Sequence, residues 1–339
     1  MADKPVKTIA DIAELAGVSK STVSRALSNS PLISEETRSR IQALARQHNF
    51  QINQPARSLS LKQSNTIAFV THGYYEQIGV EDLFLLEMLG SISIALANMH
   101  YDLLMVNVDP YDTEWISDYL NTGKVDGFVL MTSTRKQHHI HRLIEMKAPF
   151  IAWGIPAPGV NYCTVTGDNF TGGRLAAEHL LSLGKQKIAF LGGPAEEQEV
   201  RLRFKGFDSA LKLAGLAVDP KRVVYGDYSS EAGTKMMFKL LDQNPGLDAV
   251  FTNSDLVAIG AINAIRERGL RVPEDVSVIG YDDISLAQYC NPPLTTIHQN
   301  ITESGRLLVQ NLIQYLETGI ITNVAVPVEL VVRASTNSS

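Results

Sequence analysis

Lys20, Ser21, Thr22, Ser24 and Arg25 fall within six residues of one another. At helical spacing they line one face with hydroxyls and two cations. Groups of this kind donate to phosphate oxygens and to base edges. Arg25 is long and planar enough for a bidentate contact to guanine, worth roughly 1–3 kcal/mol of discrimination. Ser19, Thr22 and Ser24 suit phosphates, which position a protein without specifying sequence. A second set is dispersed along the chain. Asp282 follows the apolar run SVIGY, Arg203 follows LGGP, and Trp153 ends FIAW. An ionised carboxylate only accepts hydrogen bonds, so Asp282 suits hydroxyls or N–H groups of a ligand.

The first set needs a scaffold, and residues 8–27, TIADIAELAGVSKSTVSRAL, supply it. Thr8 can cap one helix, with Asp11 three residues on as a weak capping box. Ile9, Ile12, Ala13 and Ala16 recur at helical spacing. Gly17 gives a tight turn its freedom, Val18 plugs it, and Ser19 caps a second helix. Val23, Ala26 and Leu27 face inward. Two helices at a steep angle, the second starting with short polar and basic groups, match a helix-turn-helix that enters the major groove. The competing reading is a plain helical hairpin with solvated faces. Ser34 can cap a third helix whose Glu35 and Glu36 suit the positive end of its dipole, and Ile41, Leu44, Ala45 and His48 give it one face.

At 339 residues, 45% apolar and 19% charged, the chain has the composition of a soluble protein able to bury substantial cores. Residues 1–62 hold nine Lys and Arg against five Asp and Glu, whereas the remainder holds 21 against 31. A basic head on an acidic body implies that only the head approaches a polyanion. The start, MADKPVK, is no secretory signal, and no run reaches the roughly 18–20 apolar residues of a membrane span. Cys163 and Cys290 are the only cysteines, and no Cys/His cluster has zinc spacing. His138 and His141 lie one turn apart, where an exposed polar turn outweighs a metal site. The expectation is a cytoplasmic protein without metal or cofactor.

After the third helix, FQINQPARSLSLKQSN is short and polar and reads as a linker. Asn53 can cap a brief helix within it, with Pro55 in the first turn and an end near Leu59. From Thr66 onward, apolar β-type runs alternate with helical stretches near 81–99, 112–122 and 136–146, and the pattern restarts with KIAFLGG at 187–193. Such alternation implies parallel sheets covered on both faces. There are too many strand–helix units for one sheet, so two doubly wound sub-domains with a cleft between them are expected, ligands sitting outside the strands' carboxyl ends.

The order and spacing of TIADIAELAGVSKSTVSRAL, SEETRSRI, ARSL, DNFTGGRLAAEHLLSLG, SDLVAIGA, VPEDVSVIGYDD, PPLTTI and ELVVRAST resemble the LacI/GalR family of bacterial transcription regulators essentially end to end. The resemblance implies an all-α helix-turn-helix headpiece over 1–50 and a hinge over 51–64. It also implies an α/β body over 65–339 of periplasmic-binding-protein type. Three crossovers would join an N-lobe (65–165 and 295–325) to a C-lobe (166–294 and 326–339). LTTIHQ and VPVELVVR flank a helix and can each complete a sheet. In the headpiece the resemblance places Thr8, Ser19, Lys20, Ser21, Thr22, Ser24 and Arg25 against DNA, with Lys20, Ser21 and Arg25 reading bases. In the hinge it adds Asn53, Ala56, Arg57 and Leu59, where Leu59 is a minor-groove wedge that unstacks a base step. The family's Tyr-x-Pro-Asn is Phe50-Gln51-Ile52-Asn53 here. A homodimer would set two heads on a pseudo-palindromic operator in double-stranded DNA.

For a small-molecule effector, the same resemblance marks Leu83, Phe84 and Trp153 in the N-lobe. It marks Glu197, Glu199, Arg203, Tyr228, Ser254, Asp255 and Asp282 in the C-lobe. Gly154-Ile155 stand where the family carries Asp-Arg. Many polar groups with one or two aromatics favour a carbohydrate, and the expected function is a repressor of carbohydrate-utilisation genes. The alternatives are a purine- or nucleoside-responsive regulator of the same family, and a sugar receptor without a DNA role. An enzyme is disfavoured because the chain shows no G-x-G-x-x-G opening the first body helix, no G-x-S-x-G elbow and no P-loop.

Overall fold

In the computed structural model, which describes residues 6, 8–50, 63–72, 83–109, 112–131, 137–156 and 159–337, helix boundaries in the head follow the side chains that cap them. Helix α1 (Ile9–Ala16) begins at Thr8, whose hydroxyl accepts from Asp11 N while the Asp11 carboxylate accepts from Thr8 N at 2.9 Å. Gly17, at φ 66°, ends it in the left-handed region that a side chain disfavours. Ser19 caps α2 (Lys20–Leu27) and Ser34 caps α3 (Glu35–Gln47). Ile12, Ala13, Ala16, Val23, Ala26 and Ile41 form one buried cluster that Val18 and Leu27 pack against. Asn53, Ala56, Arg57 and Leu59 of the expected hinge lie outside the described residues.

A boundary between Ser64 and Asn65 separates this unit from the rest of the chain. The second unit carries twelve strands, among the described residues, in two six-stranded sheets. The first sheet has β1 (Thr66–His72), β2 (Asp102–Val108), β3 (Gly127–Met131), β4 (Phe150–Trp153), β5 (Cys163–Gly167) and β11 (Asn323–Val326), in the order β11-β5-β4-β3-β1-β2. The second has β6 (Ile188–Gly192), β7 (Val223–Tyr225), β8 (Ala249–Thr252), β9 (Ser277–Asp282), β10 (Thr295–His298) and β12 (Glu329–Val331), in the order β12-β10-β9-β8-β6-β7. Every pairing is parallel except that of β12 with β10.

Helices cover both faces of each sheet, as the wholly buried strands β4, β6, β8 and β9 require. On the first sheet, α4 (Leu83–Asn98) and α11 (Ile301–Thr318) bury Met88, Ile92, Leu308 and Leu312 on one side. On the other side α5 (Trp115–Leu120) and α6 (Gln137–Glu145) bury Trp115, Ile116, Ile140 and Leu143. On the second sheet, α7 (Asn169–Ser182) and α8 (Gln198–Leu213) lie opposite α9 (Ser230–Gln243) and α10 (Asp255–Glu267). Among the described residues, no helix is long and apolar enough to cross a membrane.

Among the described residues the chain passes between the sheets three times, at Asp168, at Gln299–Asn300 and at Pro327–Val328. These crossovers touch one another. Asp168 N donates to Val326 O at 2.9 Å, and Gly167 lies against both Gln299 and Val328. The positions differ from those expected. β10 pairs with β9, so 295–298 belongs to the C-lobe and not the N-lobe. β5 and β11 extend the N-lobe to Gly167 and Val326. The parallel partners of β10 and β5, rather than their apolar texture, decide the matter. β5 has no counterpart among the apolar runs read from sequence, because two threonines interrupt it.

Candidate functional site

Two regions carry the chemistry. In the head, Lys20, Ser21, Ser24 and Arg25 are exposed on α2, Thr22 is half-buried, and Val23 and Ala26 are buried on the opposite face. The Ser19 hydroxyl accepts from Thr22 N at 3.1 Å and lies 2.7 Å from Ser21 Oγ and 2.8 Å from Thr22 Oγ1. The start of α2 is therefore a small cluster of hydroxyls beside Lys20, at the positive end of a helix, with Arg25 exposed in its last turn. That start is a place where anions are favoured. Thr8 is exposed and committed to its cap.

In the body, the carboxyl ends of β9, β8, β6 and β7 stand side by side in that order. β9 ends on a polar residue and β8 leads straight into one, while β6 and β7 are followed by glycines. Asp282 ends β9 at φ 115°, a conformation that side chains rarely adopt and that marks stored strain. Asn253 follows β8; its N donates to Leu191 O at 2.8 Å, yet neither side-chain polar atom of this wholly buried residue has a partner. After β6, Gly193 is so close to Tyr228 that an added Cβ would lie 2.6 Å from the phenol ring. Tyr228 itself follows β7, and its hydroxyl donates to Glu197 Oε2 at 2.6 Å.

Arg203 anchors this row from the second turn of α8. It is 6% exposed. Its Nε donates to Asn169 Oδ1 at 2.8 Å, its Nη1 to Asn253 O at 2.6 Å, and its guanidinium lies 3.6 Å from the centroid of the Tyr281 ring. Burial would depress its pKa, but Tyr281, Asp282, Tyr228 and Glu199 outweigh that and raise it. Burial pushes the Tyr281 hydroxyl up to about 12. Burial and then Glu197 hold Tyr228 well above a phenol's ordinary value. Burial also raises the Glu197 carboxyl.

The two lobes are tied across the cleft by a reciprocal pair of bonds. Ile155 N in the first lobe donates to Glu199 Oε1 at 2.8 Å, and Ser285 N in the second donates to Glu87 Oε1 at 2.8 Å. Phe84 and Trp153 sit on the first-lobe side with ring centroids 5.8 Å apart. Trp153 belongs to the core cluster that Phe84 packs against. Leu83 is half-buried at the start of α4.

Two expected ligand residues turn inward. Ser254 caps α10 by accepting from Val257 N at 3.3 Å. Asp255 is wholly buried; one oxygen accepts from Ile284 N at 2.9 Å and the other from Thr296 Oγ1 at 2.5 Å. With both oxygens engaged, it fastens β9 and β10 to α10 and is not a cleft-facing acid. Glu197 and Glu199 also differ from the loop expected, as the cap and first turn of α8.

Burial first, and Asp282 next, hold the Asp255 pKa well above the carboxylate range. The folded protein thus binds this proton more tightly than the unfolded chain. Stability must fall as pH rises from the ordinary carboxylate value toward the elevated one. Asp255→Asn keeps an acceptor for Ile284 N and a donor for Thr296, so it is expected to flatten that slope. Urea unfolding between about pH 5 and pH 8 measures it. Asp255→Ala strands two buried groups and is expected to cost about 1–3 kcal/mol for each.

Sequence reasoning missed Asn169, Asn253 and Gln299. Gln299 is 1% exposed and lies in the second crossover, where its Nε2 donates to Asp282 Oδ1 at 2.7 Å. The only signal of Asn253 and Gln299 was a polar residue directly after a strand, and Asn169 stands two residues after one. His138 and His141 stand on α6 without forming a metal cluster. His139 between them is buried, and its Nδ1 accepts from Trp115 Nε1 at 3.2 Å. Among the described residues, no group of three or more His, Cys, Asp or Glu could hold a metal ion.

Comparison with known proteins gives concordant matches for both regions. Residues 8–53 match the model of bacterial regulatory proteins of the lacI family, and residues 177–336 match the periplasmic binding protein-like domain. The HTH-type transcriptional repressor PurR of Haemophilus influenzae (strain PittEE) is 32% identical, covering 98% of this chain and 99% of the relative. The structure of the lac repressor dimer bound to operator and the anti-inducer ONPF superposes with a TM-score of 0.84 at 29% identity, covering 99% of this chain and 100% of that one. The transcriptional regulator CelR–cellobiose complex superposes with a TM-score of 0.75 at 30% identity, covering 97% and 99%.

Proposed function

The chain belongs to the LacI family of bacterial regulatory proteins and is a DNA-binding transcription repressor, and from that premise we propose that a carbohydrate in the cleft sets its hold on the operator. The observation that carries the reading is the row Asp282, Asn253, Tyr228 and Glu197 at the carboxyl ends of adjacent strands, backed by Arg203. Hydroxyl-rich ligands match such a row of acceptors and amides, and the Phe84–Trp153 pair offers an apolar wall to a sugar face. The complex of the related CelR with cellobiose supports the same ligand class.

Lys20, Ser21 and Arg25 contact bases; Thr8, Ser19, Thr22 and Ser24 contact phosphates. Asn53, Ala56, Arg57 and Leu59 act at the hinge. Two copies bind a pseudo-palindrome as a homodimer, a partnership supported by the dimeric lac repressor on its operator. The protein works in the cytoplasm. Leu83, Phe84, Trp153, Glu197, Glu199, Arg203, Tyr228 and Asp282 handle the ligand.

Regulation follows from differential binding. A ligand shifts an equilibrium only as far as it prefers one state over the other. Filling the cleft competes with the two bonds that tie the lobes, Glu199 to Ile155 and Glu87 to Ser285. It also grips Asp282, which is bonded to Gln299 in a crossover. Lobe rotation about the crossovers then releases the operator and lifts repression.

Operator binding tests the reading. In fluorescence anisotropy with fragments from the protein's own genomic neighbourhood, affinity should fall steeply with salt as counterions are released. Arg25→Ala is expected to weaken the best fragment by about 1–3 kcal/mol while changing random duplex far less. Equal losses on both would make Arg25 a phosphate contact. No binding to any fragment, with or without sugars, would remove the function.

A further inference from the structure

The geometry points to an effector without an anionic group: a sugar that presents hydroxyl or amino donors, with sugar phosphates and uronates excluded. This deepens the carbohydrate reading and rests on it. Four features of the cleft lead there.

The first is hydrogen-bond polarity. Tyr228 has given its only proton to Glu197, so the phenol oxygen can only accept. Glu197, Glu199 and Asp282 are carboxylates and also accept. A phosphate or a carboxylate brings more acceptors to a wall of acceptors. A hydroxyl or an ammonium brings donors.

The second is the state of the cleft's buried cation. The Arg203 Nε and Nη1 are bonded to Asn169 and Asn253 O, and its face is against Tyr281. Each two-pronged edge of the guanidinium already has one nitrogen engaged, which removes the fork that recognises phosphate or carboxylate. One arginine also faces three carboxylates.

The third is the use of helix starts. In this fold the positive ends of helices are the natural seats for anions. Here each start already carries the chain's own negative charge. The Asp168 carboxylate caps α7 by accepting from Thr171 N, and although α9 and α10 are capped by Ser229 and Ser254, Glu197 and Glu199 stand at the start of α8, Asp255 at the start of α10 and Glu231 in the first turn of α9, where they repel a second anion.

The fourth is Asn253, wholly buried with both side-chain atoms unpartnered. Leaving an amide so costs free energy unless something completes it. A hydroxyl, donor and acceptor at once, satisfies both ends of an amide; an anion satisfies only its N–H.

The test is thermal unfolding of the full-length protein against matched sets. Glucose, galactose and mannose are each offered as the neutral sugar, the 2-amino sugar, the 6-phosphate and the uronate. Cellobiose and other neutral disaccharides are added, and nucleosides serve as controls. A ligand confined to the folded state raises the melting temperature with concentration. Stabilisation is expected from neutral or amino members only, with the 6-phosphate and uronate of any hit roughly tenfold weaker or worse. A phosphate or uronate that binds as tightly as its neutral parent overturns this proposal and leaves the carbohydrate reading standing. Silence from every sugar, whether or not a nucleoside binds, overturns the carbohydrate reading and this proposal with it.

Discussion

Arg203→Ala is expected to cost about 3–5 kcal/mol of stability in urea unfolding, and to abolish any response of operator binding to the ligand. The side chain is almost wholly buried and holds three segments at once: Asn169 after the first crossover, the carbonyl of Asn253 after β8, and the ring of Tyr281 on β9. Truncation strands an amide oxygen and a backbone carbonyl. It also opens a void beside Tyr281 and removes a positive charge that interacts with Asp282. Arg203→Lys separates charge from shape. It restores the cation but neither the fork nor the flat stacking surface, so it should fall between wild type and alanine. A lysine variant equal to wild type in stability and ligand response would show that only charge matters. An alanine variant within about 1 kcal/mol of wild type would show that the packing argument is wrong.

Asp282→Ala is expected to give the opposite division of effects: operator binding with its normal salt dependence, and a ligand affinity lower by about 2–5 kcal/mol, enough to silence the response. The residue keeps an unfavourable backbone conformation at the end of a buried strand, and Gln299 orients its carboxylate. Strain that persists at such a place marks function when the neighbouring structure over-determines it. Asp282→Asn tests the charge alone: shape is kept, but the second acceptor is lost. Anisotropy titrations of operator against a stabilising sugar read both variants. An Asp282→Ala protein that still lets go of DNA at the wild-type sugar concentration would move the ligand elsewhere in the cleft.

How much of this is legible in the chain depends on how far each contact reaches along it. Thr8, Ser19 and Ser34 cap helices three residues away, and local sequence places them well. The alternation of apolar runs with helices gives the layered sheets for the same reason. The site is less visible, because its bonds join residues far apart. Arg203 reaches Asn169 34 residues back and Asn253 50 residues on. Asp255 illustrates the difficulty. Its position after β8 is what a ligand acid would have, but side-chain direction decides its role, and it points to Thr296 and Ile284. Gln299 carries no pattern of its own; only the pairing of β10 with β9 brings it to Asp282.

The threading of the chain also bears on how the protein is made. Neither sheet can be finished before residues 323–331 exist, because β11 borders β5 in one and β12 borders β10 in the other. While a ribosome is still synthesising α11, each half has an unfilled strand position along a bare edge, the kind of surface that invites pairing with another chain. The nascent body is thus committed late, within its last few dozen residues, whereas the head at the other end has its three helices together from the outset. Truncation even slightly upstream of 323 should therefore spoil both halves at once rather than one of them.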